Sequence, residues 1–286
     1  MNPIEKFLKF WRSDNEKIAL LRDIFIALMA VLIVLILLWA YTGQWFAAPM
    51  VAIESGSMEH PNPPYGRYGT IDAGDMVLVQ KVNDRDDVVT YGAARMVEDR
   101  NNYFYGNWGD VIIYRKLGST EESQIIHRAM CWVDIEIVDG EKRYTIEEFG
   151  IYNQTSFGPI REIGLTKGNY APNWSNSGFI TKGDNNNIFD QYNNAICPEP
   201  VKVEWISGKA RLEIPWIGTI NLLFEDLLHG KDTLKNVHQD SIVCLVLLII
   251  ILISIPIIMD VYDYIKKKKK GKENNKKEEK NHNLED

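Results

Sequence analysis

Three short stretches carry side chains that could together perform acyl-transfer chemistry. Ser55 and Ser57 flank a glycine in Ile53-Glu54-Ser55-Gly56-Ser57-Met58-Glu59. His127 stands in Ile125-Ile126-His127-Arg128-Ala129-Met130. Asp184 and Asp190 fall within Gly183-Asp184-Asn185-Asn186-Asn187-Ile188-Phe189-Asp190. A serine hydroxyl is a weak nucleophile until an adjacent base takes its proton. An imidazole, which titrates near pH 6.5 when unperturbed, can accept that proton at neutral pH. A carboxylate then fixes the tautomer and steadies the imidazolium. Each stretch alone is ordinary. A Ser-Gly-Ser turn is common, a single histidine on a strand is usually a packed core residue, and Gly-Asp-Asn-Asn usually just turns the chain. The chemistry would lie in their combination. Metal chemistry has less to draw on: the three cysteines, Cys131, Cys197 and Cys244, include no C-x-x-C pair, so a structural zinc site has no sequence support.

The elements that must position these groups begin at a membrane. Ile24 to Tyr41 is an uncharged run of 18 residues, about 27 Å as a helix and close to the hydrocarbon thickness of a bilayer. Trp39, Tyr41, Trp45 and Phe46 sit at its outer end, where an aromatic belt belongs. The run is longer than the apolar segment of a cleaved leader, so a retained anchor is expected. Ile242 to Met259 is a second uncharged run of 18, with Pro256 near its end and the block Lys266 to Lys270 beyond it. Residues 1–23 read either as an amphipathic helix on the inner membrane surface, with Ile4, Phe7, Leu8, Phe10 and Trp11 on its apolar side, or as a loosely ordered basic leader. Residues 260–286 are a Lys/Glu/Asn tail of disordered composition.

Charge supports the same layout. The chain carries −7 overall, but residues 1–23 carry +1, residues 260–286 carry +2 and the middle carries −10. An acidic middle between basic ends argues against nucleic acid as a partner. It suits two spans with both termini in the cytoplasm and residues 45–240 outside, with the lysine block against anionic head groups.

Residues 45–240 read as a mainly β body. Asp75 to Val82, Val111 to Tyr114 and Gln124 to Val133 have strand patterns. On the last of these, Ile125, His127, Ala129 and Cys131 would share one face. Ile135 to Val138 and Arg143 to Ile146 flank Asp139-Gly140, a two-residue hairpin signal. Phe179-Ile180-Thr181 leads into the Gly-Asp-Asn turn. Val201 to Ile206 and Lys209 to Ile214, separated by Ser207-Gly208, suggest a second hairpin. A helical period returns only near Ile220 to Leu228. Two polar stretches, residues 83–107 and 149–176, read as insertions, either loops or a small subdomain. A Cys131–Cys197 disulfide is compatible with an extracytoplasmic body, though neither count nor spacing demands it. Asn153-Gln154-Thr155 and Asn173-Trp174-Ser175 match the N-glycosylation pattern, a triplet that also arises by chance.

In kind and order, the serine, histidine and aspartate stretches resemble the membrane-bound type I signal peptidases. The similarity is to the archaeal and endoplasmic-reticulum branch, which has histidine where the bacterial branch has lysine. The resemblance implies a signal-peptidase-like β body. Ser57 would be the nucleophile, Met58 a packing residue, and Ser55 with the Ser57 N–H the oxyanion donors. His127 would be the general base. Asp190 would complete the triad while Asp184 braces the turn. Asn187-Ile188-Phe189 departs from the family's usual Ala/Gln-Val-Asp spelling, which keeps both carboxylates in play. Shallow pockets from Met50, Val51, Ile53, Val77 and Val79 would receive small residues beside the cut. The implied substrates are signal-peptide-bearing precursors delivered by the translocation machinery, and no metal or organic cofactor is called for. Two other readings use the same residues: a tethered endopeptidase for one dedicated substrate, and a non-catalytic membrane-anchored β domain in which Ser57, His127 and Asp190 would lie apart.

Overall fold

In the computed structural model the described residues are 15–45 and 47–282, with positions 2, 5, 10 and 11 ahead of them and side chains up to Lys268. Ile4, Phe7 and Leu8 of the leader, and Phe46 of the aromatic belt, lie outside the described residues. The first apolar run becomes helix α1 (Glu16–Thr42). The Asn15 side chain caps it by accepting the Lys17 N–H at 3.0 Å, and Gly43, at φ +69°, ends it by donating to the Trp39 carbonyl. The second run opens the last helix (Gln239–His282), which contains Pro256. Both are long and apolar enough to cross a membrane, and their apolar side chains stand outward rather than in a core. The backbone of the last helix continues through the lysine block to His282, where composition predicts a disordered tail. Lys and Glu are good helix formers, and a helix already nucleated by its apolar half extends through them at little cost.

Between the two lies a mainly antiparallel body. Its strands are β1 (Met50–Ala52), β2 (Met76–Gln80), β3 (Tyr103–Phe104), β4 (Asn107–Trp108), β5 (Val111–Tyr114), β6 (Ile125–Val138), β7 (Glu141–Ile146), β8 (Ile151–Gln154), β9 (Gly178–Lys182) and β10 (Ile206–Ile214). The helices α2 (Tyr91–Met96) and α3 (Gly218–His229) complete it, so the last helix is α4. The main sheet runs β1-β2-β10-β5-β6-β7-β8, with β9 also paired to β6; β3 and β4 form a separate ribbon. The body is joined to α1 by the Lys81 N–H, which donates to the Thr42 carbonyl at 2.8 Å, and by the Gln44 side chain, which donates to the Ser207 carbonyl.

The long strand β6 organises this body. Its first half pairs with β5 and β9, and its second half pairs with β7 across the Asp139-Gly140 turn, where both residues take positive φ as a tight hairpin requires. The register with β9 shifts between Ala129 and Cys131, so Met130 is an extra residue. A bulge of this kind reverses the inward and outward alternation beyond it. Ile125 and Ala129 therefore face the core shared with Ile112, Tyr114 and Phe179, whereas Cys131 faces the core shared with Ile146, Ile180 and Phe189. The shared face expected for Ile125, His127, Ala129 and Cys131 is corrected at its last member. Cys131 and Cys197 are both buried and free, in different clusters, and form no disulfide.

Two more expectations change. Ser207-Gly208 is not a hairpin turn; it lies within β10, at the site of its bulge against β5. A Cβ at Gly208 would stand 2.4 Å from the Gln80 carbonyl oxygen, so the glycine answers a close strand approach rather than a turn. Residues 149–176, expected as loops or a small subdomain apart from the core, supply core residues. Phe157, Ile160, Ile163, Leu165 and Trp174 bury themselves with Tyr144, Ile146 and Phe189 in a second core. The polar residues around them obscured that apolar set. In residues 83–107, Val88 and Tyr91 also join the cores.

Candidate active site

The site assembles where β6, the turn after β9, and the Ser57 segment meet. His127 lies in the first half of β6, opposite Ile112 of β5, and its ring is nearly fully buried. Its Nδ1 is 2.6 Å from Asp190 Oδ2. Asp190, itself fully buried, is held to β9 by its backbone: its N–H donates to the Thr181 carbonyl, and its own carbonyl accepts from the Ile196 and Cys197 N–H groups. The same Oδ2 accepts from the Tyr114 hydroxyl at 2.8 Å and the Thr181 hydroxyl at 2.6 Å. Burial first, and then the neighbouring Asp190 carboxylate, push the Tyr114 phenol well above its ordinary range, which keeps it a donor. Asp190 Oδ1 is buried without a partner among the described residues. With Nδ1 donating to Asp190, the neutral ring keeps its lone pair on Nε2.

Asp184 sits elsewhere. It accepts from Arg128 Nε at 2.9 Å and Nη2 at 2.5 Å. Arg128 is fully buried and lies on the opposite face of β6 from His127. Its guanidinium also donates to the carbonyls of Phe104, Trp108 and Gly109. Asp184 therefore does not touch the imidazole; it bolts the Gly183–Asn186 turn to β6 and to the β3–β4 ribbon. That turn grips the serine segment. The Asn185 N–H donates to the Ser57 carbonyl at 2.9 Å, and the Asn185 side chain donates to the Gly56 carbonyl at 3.0 Å.

Ser57 lies in a single 3-10 turn (Gly56–Met58) whose Met58 side chain is buried against Ile53, Ile71 and Val77. A Cβ at Gly56 would meet only the tip of the Glu59 side chain, at 2.5 Å, a contact that the flexible carboxylate can relieve by turning aside. The Ser57 hydroxyl lies 3.4 Å from the Ser55 hydroxyl. A cavity of about 460 Å³ opens over these groups, with both Ser57 and His127 on its wall. Val51 and Ile53 line it. Met50, Val77 and Val79 do not: Val77 and Val79 point into the core beneath Ile53, as strand alternation on β2 dictates, and Met50 pairs with Leu78 on the β1–β2 ladder. The apolar wall is completed by Ile125, Ile126 and Ile196, which sequence reasoning did not single out.

Tyr114, Thr181, Arg128 and Asn185 were also missed as contributors. Thr181, Arg128 and Asn185 stand beside residues that were picked out, and the adjacency was their only signal. Nothing in the sequence marks Tyr114, which reaches Asp190 only through the β5–β6 pairing. No protein-family model matches the chain, and comparison with curated proteins finds no relative.

Proposed function

We propose that this protein is a membrane-anchored serine endopeptidase of the signal-peptidase type, cutting signal segments from secreted precursors on the outer side of the membrane. The observation that carries the reading is the buried His127–Asp190 pair at 2.6 Å, set on the wall of the same cavity as Ser57. His60 also meets a buried carboxylate, Asp72, at 3.1 Å, so what sets His127 apart is the cavity it shares with Ser57. In this reaction His127 Nε2 takes the Ser57 proton as Oγ attacks the scissile carbonyl, and then gives that proton to the departing amine. The acyl group stays on Ser57 until water, deprotonated by the same imidazole, releases it. The Ser55 hydroxyl and the Ser57 N–H are the groups offered to the developing oxyanion, each such donor being worth about 3 kcal/mol in the transition state. In the free protein the Ser57 hydroxyl pairs with Ser55. Attack requires it to turn to the imidazole, a contact of the kind that tightens when substrate is bound.

The strand β1 ends the sheet order and lends Val51 and Ala52 to the cavity, so an extended peptide there would pair with a strand edge, with backbone pairing for affinity and pockets for choice. Branched walls at Val51, Ile53, Ile126 and Ile196 offer apolar surface to the side chains flanking the cut, for which small residues are expected. The two apolar helices at the ends of the chain fit a body tethered beside the bilayer, with both termini in the cytoplasm. The test is cleavage of a model precursor by the purified full chain. Ser57→Ala should bind the precursor and fail to cut it; undiminished cutting by that variant ends the proposal. A survey of precursors, scored against a single dedicated substrate, separates a general processing enzyme from a specialised one.

A further inference from the structure

We propose that α3 is an in-plane membrane helix, a third lipid contact that lies in the interface of the outer leaflet and is fastened to the segment that carries Ser57. The inference rests on the two apolar helices spanning a bilayer, and it is independent of the protease chemistry.

Ile220, Leu223, Phe224, Leu227 and Leu228 recur on α3 at helical spacing and are exposed. Phe224 is 56%, Leu227 71% and Leu228 74% accessible. At 3.6 residues per turn they cover an arc of about 140°, wider than the stripe a globular helix needs to meet its own core. The core contact is already made by the other side, through Gly218, Thr219 and the fully buried Leu222. The outward arc is therefore surplus to folding. Its acidic neighbours are turned to the chain's own use. Glu225 pairs with His229 and with Lys231 at 3.1 Å, and Asp226 accepts from the Thr233 and Leu234 N–H groups. Among the described residues, both carboxylates of α3 are thus engaged within the chain rather than left to oppose entry into lipid.

Continuity identifies the occupant as a bilayer. Only residues 230–238 separate the end of α3 from the start of the second apolar helix, so α3 is held close to the level at which that helix leaves the membrane. Exposed Lys231 and Lys235 sit in this connection, at head-group depth. The connection is tied to the site: Asn236 donates to the Glu54 carbonyl at 2.8 Å, and Lys231 pairs with the Glu54 carboxylate. Glu54 lines the catalytic cavity. Docking of α3 would thus set the height of the cavity above the lipid.

The experiment uses the full chain, with Cys244→Ser, in single-copy nanodiscs of zwitterionic lipid. A fluorophore sensitive to polarity is placed at Leu227→Cys, at Phe224→Cys and, as a control at the far edge of the sheet, at Glu141→Cys. Lipid contact predicts loss of emission at both α3 positions when nitroxide lipids are included, protection there from aqueous iodide, and the reverse behaviour at position 141. Iodide quenching at 224 and 227 without nitroxide quenching overturns the proposal. Protection from both quenchers means that protein rather than lipid covers the face, and overturns it equally. Precursor cleavage by each labelled chain is read separately, so an inactive chain with α3 in lipid would count against the protease reading alone.

Discussion

Among the individual residues, the two aspartates separate most sharply, because they hold different partners. Asp190 shares its Oδ2 among the His127 imidazole and the hydroxyls of Tyr114 and Thr181. Asp184 shares its carboxylate with one guanidinium. Asp190→Asn should leave the chain folded but present an amide where the imidazole needs an anion. The ring then loses both its fixed tautomer and its support as a cation, and kcat should fall about 10³–10⁴-fold. Asp184→Asn acts through Arg128, a fully buried cation whose remaining contacts are carbonyls. Breaking a buried pair costs about 3–5 kcal/mol, with the lower end expected here because asparagine keeps an acceptor. Thermal unfolding and single-turnover cleavage of both variants decide the matter. A normal Tm with lost turnover belongs to Asp190 and a lowered Tm to Asp184; the opposite assignment would exchange their roles.

At the scale of elements, the turn after β9 sets where Ser57, the proposed nucleophile, stands. A Cβ on Gly183 would meet the Ser57 carbonyl oxygen at 2.6 Å and the Asn186 side chain at 2.7 Å. Gly183→Ala should push the two segments apart by a fraction of an ångström to an ångström. Misplacement on that scale costs about 10²-fold in turnover. The expected result is a loss of kcat with far-UV spectrum and melting nearly unchanged; unaltered turnover would show that the turn does not position Ser57. Such close approaches explain what the sequence could and could not reveal. The Asp139-Gly140 hairpin was legible because a two-residue turn with positive φ at both positions needs those residue types locally. Ser207-Gly208 misled because its glycine answers a neighbouring strand, Gln80 on β2, more than a hundred residues away in the chain. The bulge at Met130 left no local mark either, and it moved Cys131 to another core. The stretches holding Ser57, His127 and Asp190 could be picked out by residue type. Tyr114 and Ile196 could not, since only the antiparallel pairing and a loop return bring them there.

Over the molecule as a whole, stability should depend on pH in an uncommon direction. Asp75 and Glu213 are buried where β2, β10 and the start of α3 meet. Asp75 accepts from the Asp72 and Trp216 N–H groups, and Glu213 accepts from those of Gly69 and Thr70. These bonds favour the charged forms, but burial outweighs them, and the mutual proximity of Asp72, Glu59, Asp75 and Glu213 adds to it. Asp75 is pushed up to about 7 and Glu213 to about 8, from ordinary values of 3.8 and 4.5. Between those limits the folded chain keeps protons that the unfolded chain has released. More protons on the native state means that stability falls as pH rises, fully present at about pH 4 and progressively lost toward about pH 8. Most proteins gain over the first part of that interval because their carboxylates are paired. Melting the full chain at steps across the interval should show a falling Tm. Asp75→Asn with Glu213→Gln, which cannot titrate, should flatten the slope. A wild-type Tm that climbs with pH, or a double variant that keeps the wild-type slope, would mean that the two carboxyls are ionised in the fold. The segment leading into α3 would then be held to the sheet through charges on backbone donors rather than through protonated acids.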